Sequence, residues 1–133
     1  MASSDLVSRI SPKERQAGDV TPGMFREQAI SVEGLWAGLV RTDPQMVSGW
    51  HHHGDYETSV YVVAGTLRME SGPGGSAIVE AGPGDFLHVP KGAIHREGNP
   101  GDTESRIVVV RAGRGPAVIN LDAPAPDDEA TTN

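Results

Sequence analysis

Apolar residues in this chain come in short runs, many alternating with polar ones, and glycine or proline interrupts them every few positions. Period-two runs bounded by turn formers are the signature of β-strands. The pattern predicts strands over residues 26–31, 35–42, 46–53, 59–64, 66–71, 77–80, 86–89, 106–111 and 117–121. Asp43-Pro44, Ala64-Gly65, Gly82-Pro83-Gly84-Asp85 and Pro90-Lys91-Gly92 mark the turns between them. The 106–111 run, apolar without interruption from Ile107 to Val110, is predicted to be central. Residues 1–16 are polar and read as an arm with a short helical turn near Pro12, and residues 122–133 as a disordered acidic tail. Residues 17–121 then form one all-β domain, a sandwich or barrel, because no segment has the length of a helix.

Composition supports that reading. Seventeen glycines and ten prolines in 133 residues favour many short strands, and the length suits one domain with a real core. The net charge of −7 is partly a tail effect, since Asp122, Asp127, Asp128 and Glu129 supply four of the charges. No basic stripe exists, which argues against nucleic acid or an anionic membrane surface as partner. Without cysteine there is no disulfide framework, thiolate ligand or thiol nucleophile. The first residues hold no apolar signal core and no run reaches membrane-spanning length, so a soluble cytoplasmic protein is expected. Gly72-Pro73-Gly74-Gly75 has the look of a phosphate loop but lacks a following helix and lysine.

Candidate chemistry sits in His51-His52-His53-Gly54-Asp55-Tyr56-Glu57. On a strand, His51 and His53 share a face and His52 points away. Their Cα atoms stand roughly 6.6 Å apart, so both imidazoles can reach one ion. Glu57 on a straight strand would lie roughly 13 Å beyond His53, too far for a shared ligand. Gly54-Asp55 supplies a turn that can fold the carboxylate back. The run is internal and leads directly into apolar strand sequence, so it belongs to the framework and not to a tag.

A second constellation runs from Gly84 through Pro90, Gly92 and His95 to Asn99. Its intervals of five, one, two and three residues match the second motif of the cupin superfamily at every fixed position. The first cupin motif is matched by His51, His53, Glu57 and Gly65 with two departures. Gln45 stands where that motif has a glycine, and seven residues, not six, separate Glu57 from Gly65. The chain therefore resembles a small single-domain cupin, and the resemblance implies a double-stranded β-helix, or jelly-roll, barrel. It also implies that His51, His53, Glu57 and His95 ligate one divalent metal, with no catalytic residue beyond these. Three imidazoles and a carboxylate suit Fe, Mn, Ni, Co or Zn and leave positions open for substrate.

The extra residue before Gly65 has to be absorbed as a bulge. If it falls after Glu57, that carboxylate stays in the site, which is the arrangement expected here. If it falls before, Thr58 takes the inward slot and Glu57 swings out. His88 lies on a strand whose facing is open; Trp36, Trp50, Tyr61 and Arg41 are candidates for the barrel mouth. Asn99 is expected to brace a turn. The implied function is metal-dependent chemistry on a small organic substrate, with dioxygenase-type oxidation favoured. A metal-dependent isomerase or polyketide cyclase, or a non-catalytic binding barrel, are the alternatives. A homodimer is expected, with residues 26–42 as the contact, because cupins commonly bury edge strands against a second subunit.

Overall fold

Alternating side chains set the facing of each strand, and burial follows that alternation closely. The computed structural model describes residues 5–18 and 22–126; among these it holds eleven strands and one 3-10 turn, Pro12–Glu14. A six-stranded sheet runs in the order β1 (Gln16–Ala17), β2 (Met24–Val32), β3 (Leu35–Thr42), β10 (Ser105–Ala112), β5 (Glu57–Ala64) and β8 (Phe86–Val89). A five-stranded sheet runs β11 (Ile119–Leu121), β4 (Trp50–His52), β9 (His95–Gly98), β6 (Leu67–Ser71) and β7 (Ala77–Ala81). Every strand pair is antiparallel. The two sheets face each other as the jelly-roll barrel expected from the sequence. Among the described residues, no helix is long and apolar enough to cross a membrane.

The core lies between the sheets. Val40, Val60, Val62, Ile107 and Val109 come from the first, and Leu67, Met69 and Ala81 from the second. Burying each of the larger aliphatic side chains stabilises the fold by about 1.5–3 kcal/mol. The apolar run in β10 is central, paired with β3 on one side and β5 on the other. Only its alternate members are core, however: Ile107 and Val109 are buried, whereas Val110 faces out.

Four details depart from the sequence pattern. Residues 46–53 do not form one strand: Gly49 and its neighbours run irregularly beside β9, with Ser48 N–H donating to Glu97 O, and regular pairing begins at Trp50. The polar stretch His95–Gly98 is a strand although its sequence lacks strand formers, because β6 and β4 pair with it from both sides. The arm's end, Gln16–Ala17, pairs with β2 and so belongs to the sheet. In the C-terminal stretch expected to be disordered, Ala125 bridges Pro73; residues 127–133 lie outside the described residues.

Gln45 takes the place of a motif glycine and also its backbone conformation, with φ of 63°. Its side-chain amide donates to the carbonyls of Pro100 and Gly101, and its N–H to Asn99 O. Those three bonds offset the strain of a left-handed non-glycine residue. At Gly38 the need is for space. Opposite it, β2 bulges at Ala29, so that Gln28 pairs with Gly38 and Ile30 with Ala37. A Cβ there would overlap Glu27 O and meet the Trp36 ring at 2.7 Å.

Gly38→Ala is therefore expected to destabilise the protein by about 1–3 kcal/mol. Gly49→Ala, with nothing within 4 Å of its would-be Cβ, is the control and should change little. Urea unfolding compares the two; equal midpoints would contradict the close packing of β2 on β3.

Candidate metal centre

The pairing of β4 with β9 places His51 directly opposite His95. His53 follows β4 on the same inward side, and all three imidazoles are buried. Ring centroids are 4.3 Å apart for His51 and His95, 5.0 Å for His53 and His95, and 5.2 Å for His51 and His53. Each ring is anchored through Nδ1 to a backbone carbonyl. His51 reaches Gly49 O at 3.0 Å, His53 reaches Ala117 O at 2.8 Å and His95 reaches Ala93 O at 2.9 Å. A carbonyl only accepts, so Nδ1 carries the proton in each case. The three Nε2 lone pairs are left facing one another, which is the tautomer a metal requires.

The fourth member is Glu97. It lies two residues beyond His95 on β9, hence on the same inner face. Its Oε1 stands 3.3 Å from His95 Nε2 and 3.5 Å from His51 Nε2. One ligand atom from each of His51, His53, His95 and Glu97 falls within 4.8 Å of the other three. His51 Nε2 and Glu97 Oε2 are buried without a hydrogen-bond partner. Converging lone pairs of this kind fit a cation at their centre better than they fit one another.

Electrostatics agree. Burial is the main force holding His53 down at about 3, with the charges of Arg111 and His95 adding to it. Burial pushes Glu97 up, but a proton on Nε2 of His51 or His95 outweighs that and holds the carboxyl well below its usual range, as a cation at the same place would. Arg111, itself buried, stacks over the Trp36 ring at 4.3 Å.

Glu57, expected as the carboxylate ligand, lies outside this cluster. The Gly54 turn forms as anticipated, with φ of 57° and Tyr56 N–H donating to His53 O. Yet β5 runs with Thr58, Val60 and Val62 buried and Glu57, Ser59 and Tyr61 turned outward. Burying the two valines sets the parity of the strand, and parity carries Thr58 in and Glu57 out. The irregularity in β5 falls at Val63, beyond these residues, where Ala64 pairs Arg106 and Val62 pairs Ile107. Glu57 instead accepts a 2.7 Å bond from His88 Nε2 on the outer face, which lowers its pKa.

His52 is half-buried away from the cluster and accepts from Gly54 N–H. Trp50 lies under Arg96, Tyr61 against Phe86 and Arg41 over Phe25, so none of these three lines the interior. Trp36 is core. Asn99 braces its turn as expected, its amide donating to Thr42 O and Thr103 O and accepting from Gly101 N–H. The two-residue argument used for His51 and His53 reaches Glu97 only once His95–Gly98 is known to be a strand, which its own residues do not indicate.

Residues 38–111, more than half of the chain, match the family described as Cupin domain. No curated protein matches the sequence. Among solved structures, KdgF from Halomonas sp. is 24% identical with a TM-score of 0.67, the overlap covering 81% of this chain and 96% of KdgF. The polyketide cyclase RemF from Streptomyces resistomycificus is 19% identical with a TM-score of 0.72, covering 96% of this chain and 94% of RemF. Bacillus subtilis oxalate decarboxylase, described with Mn(II) centres, is 20% identical with a TM-score of 0.66, covering 80% of this chain and 30% of that one. At these identities the likeness is one of fold.

The buried cluster makes the metal-free protein acid-sensitive. His53 is neutral in the folded state down to about 3, but protonates in the unfolded chain near 6.5. Between those values the unfolded state binds more protons, so stability falls as pH falls, by up to about 1.4 kcal/mol per pH unit for one group. Glu97, depressed below 4.5, adds a loss of the same sign once pH drops under that value. Melting in EDTA across this range should show the decline, and His53→Gln should flatten its upper part. A flat profile for the unmodified chain would contradict the burial of both groups.

Proposed function

The chain belongs to the cupin family, and on that premise we propose that it is an enzyme using one divalent metal ion to act on a small organic substrate. Its ligands are His51, His53, His95 and Glu97. What carries the reading is the tautomer lock, three Nδ1–H groups held by carbonyls with three bare Nε2 atoms and a buried carboxylate converging. Four such donors would not saturate a divalent ion, so a metal held there would keep room for a small substrate. Such an ion (Fe, Mn, Ni, Co or Zn) supplies Lewis acidity and, for the redox-active metals, activation of dioxygen.

The protein's own part is orientation and electrostatics. The backbone carbonyls of Gly49, Ala93 and Ala117 hold the rings at fixed angles. Glu97 contributes one negative charge and so tempers a divalent cation in a buried site. The apolar core around Val60, Val89 and Met69 keeps bulk water from the reacting groups. Dioxygenase-type oxidation makes use of that room. A second reading, cyclisation or isomerisation through a polarised carbonyl, is favoured by the overlap with RemF over nearly all of both chains.

Metal content and oxygen uptake test this together. Iron-loaded protein should consume oxygen with at least one of a panel of catechols, flavonols, diketones and small thiols. Turnover of a diketone without oxygen loss supports the second reading. No turnover of either kind, with a full metal complement, refutes the enzyme. His95→Ala and Glu97→Gln should each lower metal affinity about tenfold or more while the fold persists. Glu57→Ala should leave it unchanged, and a loss there would return Glu57 to the site.

A homodimer is part of the proposal. Phe25, Ile30, Val32, Leu35, Val63 and Phe86 are exposed on the six-stranded sheet, and β2 with β3 carries four of them. An apolar face of that extent is suited to an isologous contact. Light scattering should give twice the chain mass of 14.0 kDa at micromolar concentration, and a monomer would end the idea.

A further inference from the structure

No ladder joins the two sheets at either pair of edges, and one of the two seams runs between β7 and β8. β7 is the outer strand of the five-stranded sheet and β8 the outer strand of the six-stranded one, so no ladder joins them. Register determines which side chains look inward. Val79 pairs with Met69, and Met69 with Glu97; Ala77 pairs with Ser71, and Ser71 with His95. Val79 therefore shares the inner face with the metal ligands, yet 47% of its surface is exposed, against 7% for Met69 and 4% for Glu97. An inward-facing valine exposed to that degree belongs to a mouth.

Below that mouth lies a cavity of about 80 Å³ that ends on His95. Met69, Ser71 and Val79 line it from one sheet, and Leu87, Val89 and Ala93 from the side of β8. Its lining also includes Pro90 and His88, whose Nε2 is already bonded to Glu57, but no lysine, arginine or carboxylate. A larger recess of about 310 Å³ touches Glu97 but none of the three imidazoles, and the charges of Arg68, Glu70 and Arg96 in its wall are paired with one another. The buried guanidinium groups of Arg26 and Arg111 open onto a separate space of about 10 Å³ shared with His53, Thr58 and Glu97. That volume is of the order of one water, too small for a substrate carboxylate.

Building on the metal reading above, we infer that the β7–β8 seam is the substrate's way in. The substrate class is a small compound with an apolar body whose only polar end is an oxygen chelate, such as a phenol, enol or diketone. A largely apolar channel favours burial of hydrocarbon by about 25 cal/mol per Å². Its one titratable side chain besides His95, His88, is already bonded to Glu57, so a sugar acid or phosphate finds little to hold it. Ser71, next to His95 in register, is the one hydroxyl in the lining and stands where it can hydrogen-bond the chelating oxygen.

Cobalt-loaded full-length protein tests the inference with two chelating probes, 4-nitrocatechol for the apolar class and malonate for the charged one. 4-Nitrocatechol should perturb the cobalt absorption and bind at least about tenfold more tightly than malonate. Leu87→Trp should weaken 4-nitrocatechol about tenfold while cobalt stoichiometry and azide binding stay as in the unmodified chain. Val79→Trp, on a half-exposed edge strand, repeats the test without disturbing the core. Malonate binding as tightly as 4-nitrocatechol would overturn the substrate class. Unchanged 4-nitrocatechol affinity in both tryptophan variants would overturn the seam. Failure of the unmodified protein to take up cobalt would sink the metal reading, and this inference with it.

Discussion

The pairing of His51 with His95 across β4 and β9 is the contact on which the rest of the site depends. It brings together two segments more than forty residues apart and sets their rings 4.3 Å from each other. Hydrogen bonding then does the finer work. Because each Nδ1 is held by a carbonyl, the proton is kept on the outer nitrogen of each ring and the inner nitrogens are left bare. Buried lone pairs that face one another are costly in a low-dielectric interior unless a cation or proton joins them. Among the described residues that cost gathers where the four side chains converge, which is what suggests a metal site there.

The carboxylate shows how strictly parity governs a barrel. Facing in β5 is determined by Val60 and Val62, whose burial contributes more than any single exposed carboxylate can offset. Thr58 must follow them inward, and Glu57 must leave. The interior still receives a carboxylate, because β9 carries Glu97 at the same two-residue interval from His95 that separates His51 from His53. A cluster of similar composition is thus assembled from a different strand. Glu57 settles on the outside as the acceptor for His88, a solvent-screened contact of small energetic weight.

The two sheets also differ in what they show to solvent. Outside the five-stranded sheet, Arg68, Glu70, Glu80 and Arg96 form a chain of ion pairs, and Arg96 covers the Trp50 ring. Outside the six-stranded sheet, large apolar side chains stand exposed. The six-stranded sheet carries ion pairs too, Arg15–Glu27 and Arg41–Glu104–Arg106, but adds the larger number of exposed apolar side chains and is the face better suited to being covered. The seam between β7 and β8 belongs to neither face. It is one of two places where the strand order of both sheets stops, so apolar inner-face residues meet solvent without any loop inserted for the purpose.

Much of this was legible before any coordinates. Alternation and turn residues gave most of the strands and put His51 and His53 on one face, and the resemblance to the cupin motifs added His95 to them. Those features are local: period-two facing and glycine turns act over a few residues, and the chain alone specifies them. What the chain alone left open was decided by pairing between distant strands. His95–Gly98 is a strand because its neighbours hold it, not because of its own residues. The choice between Glu57 and Thr58 turned on the burial of Val60 and Val62 against β10, which no count of motif intervals contains. The protonated nitrogen of each imidazole was set by carbonyls as distant in sequence as Ala117 is from His53. Local pattern names the groups that can do chemistry, and long-range register determines which of them share one space.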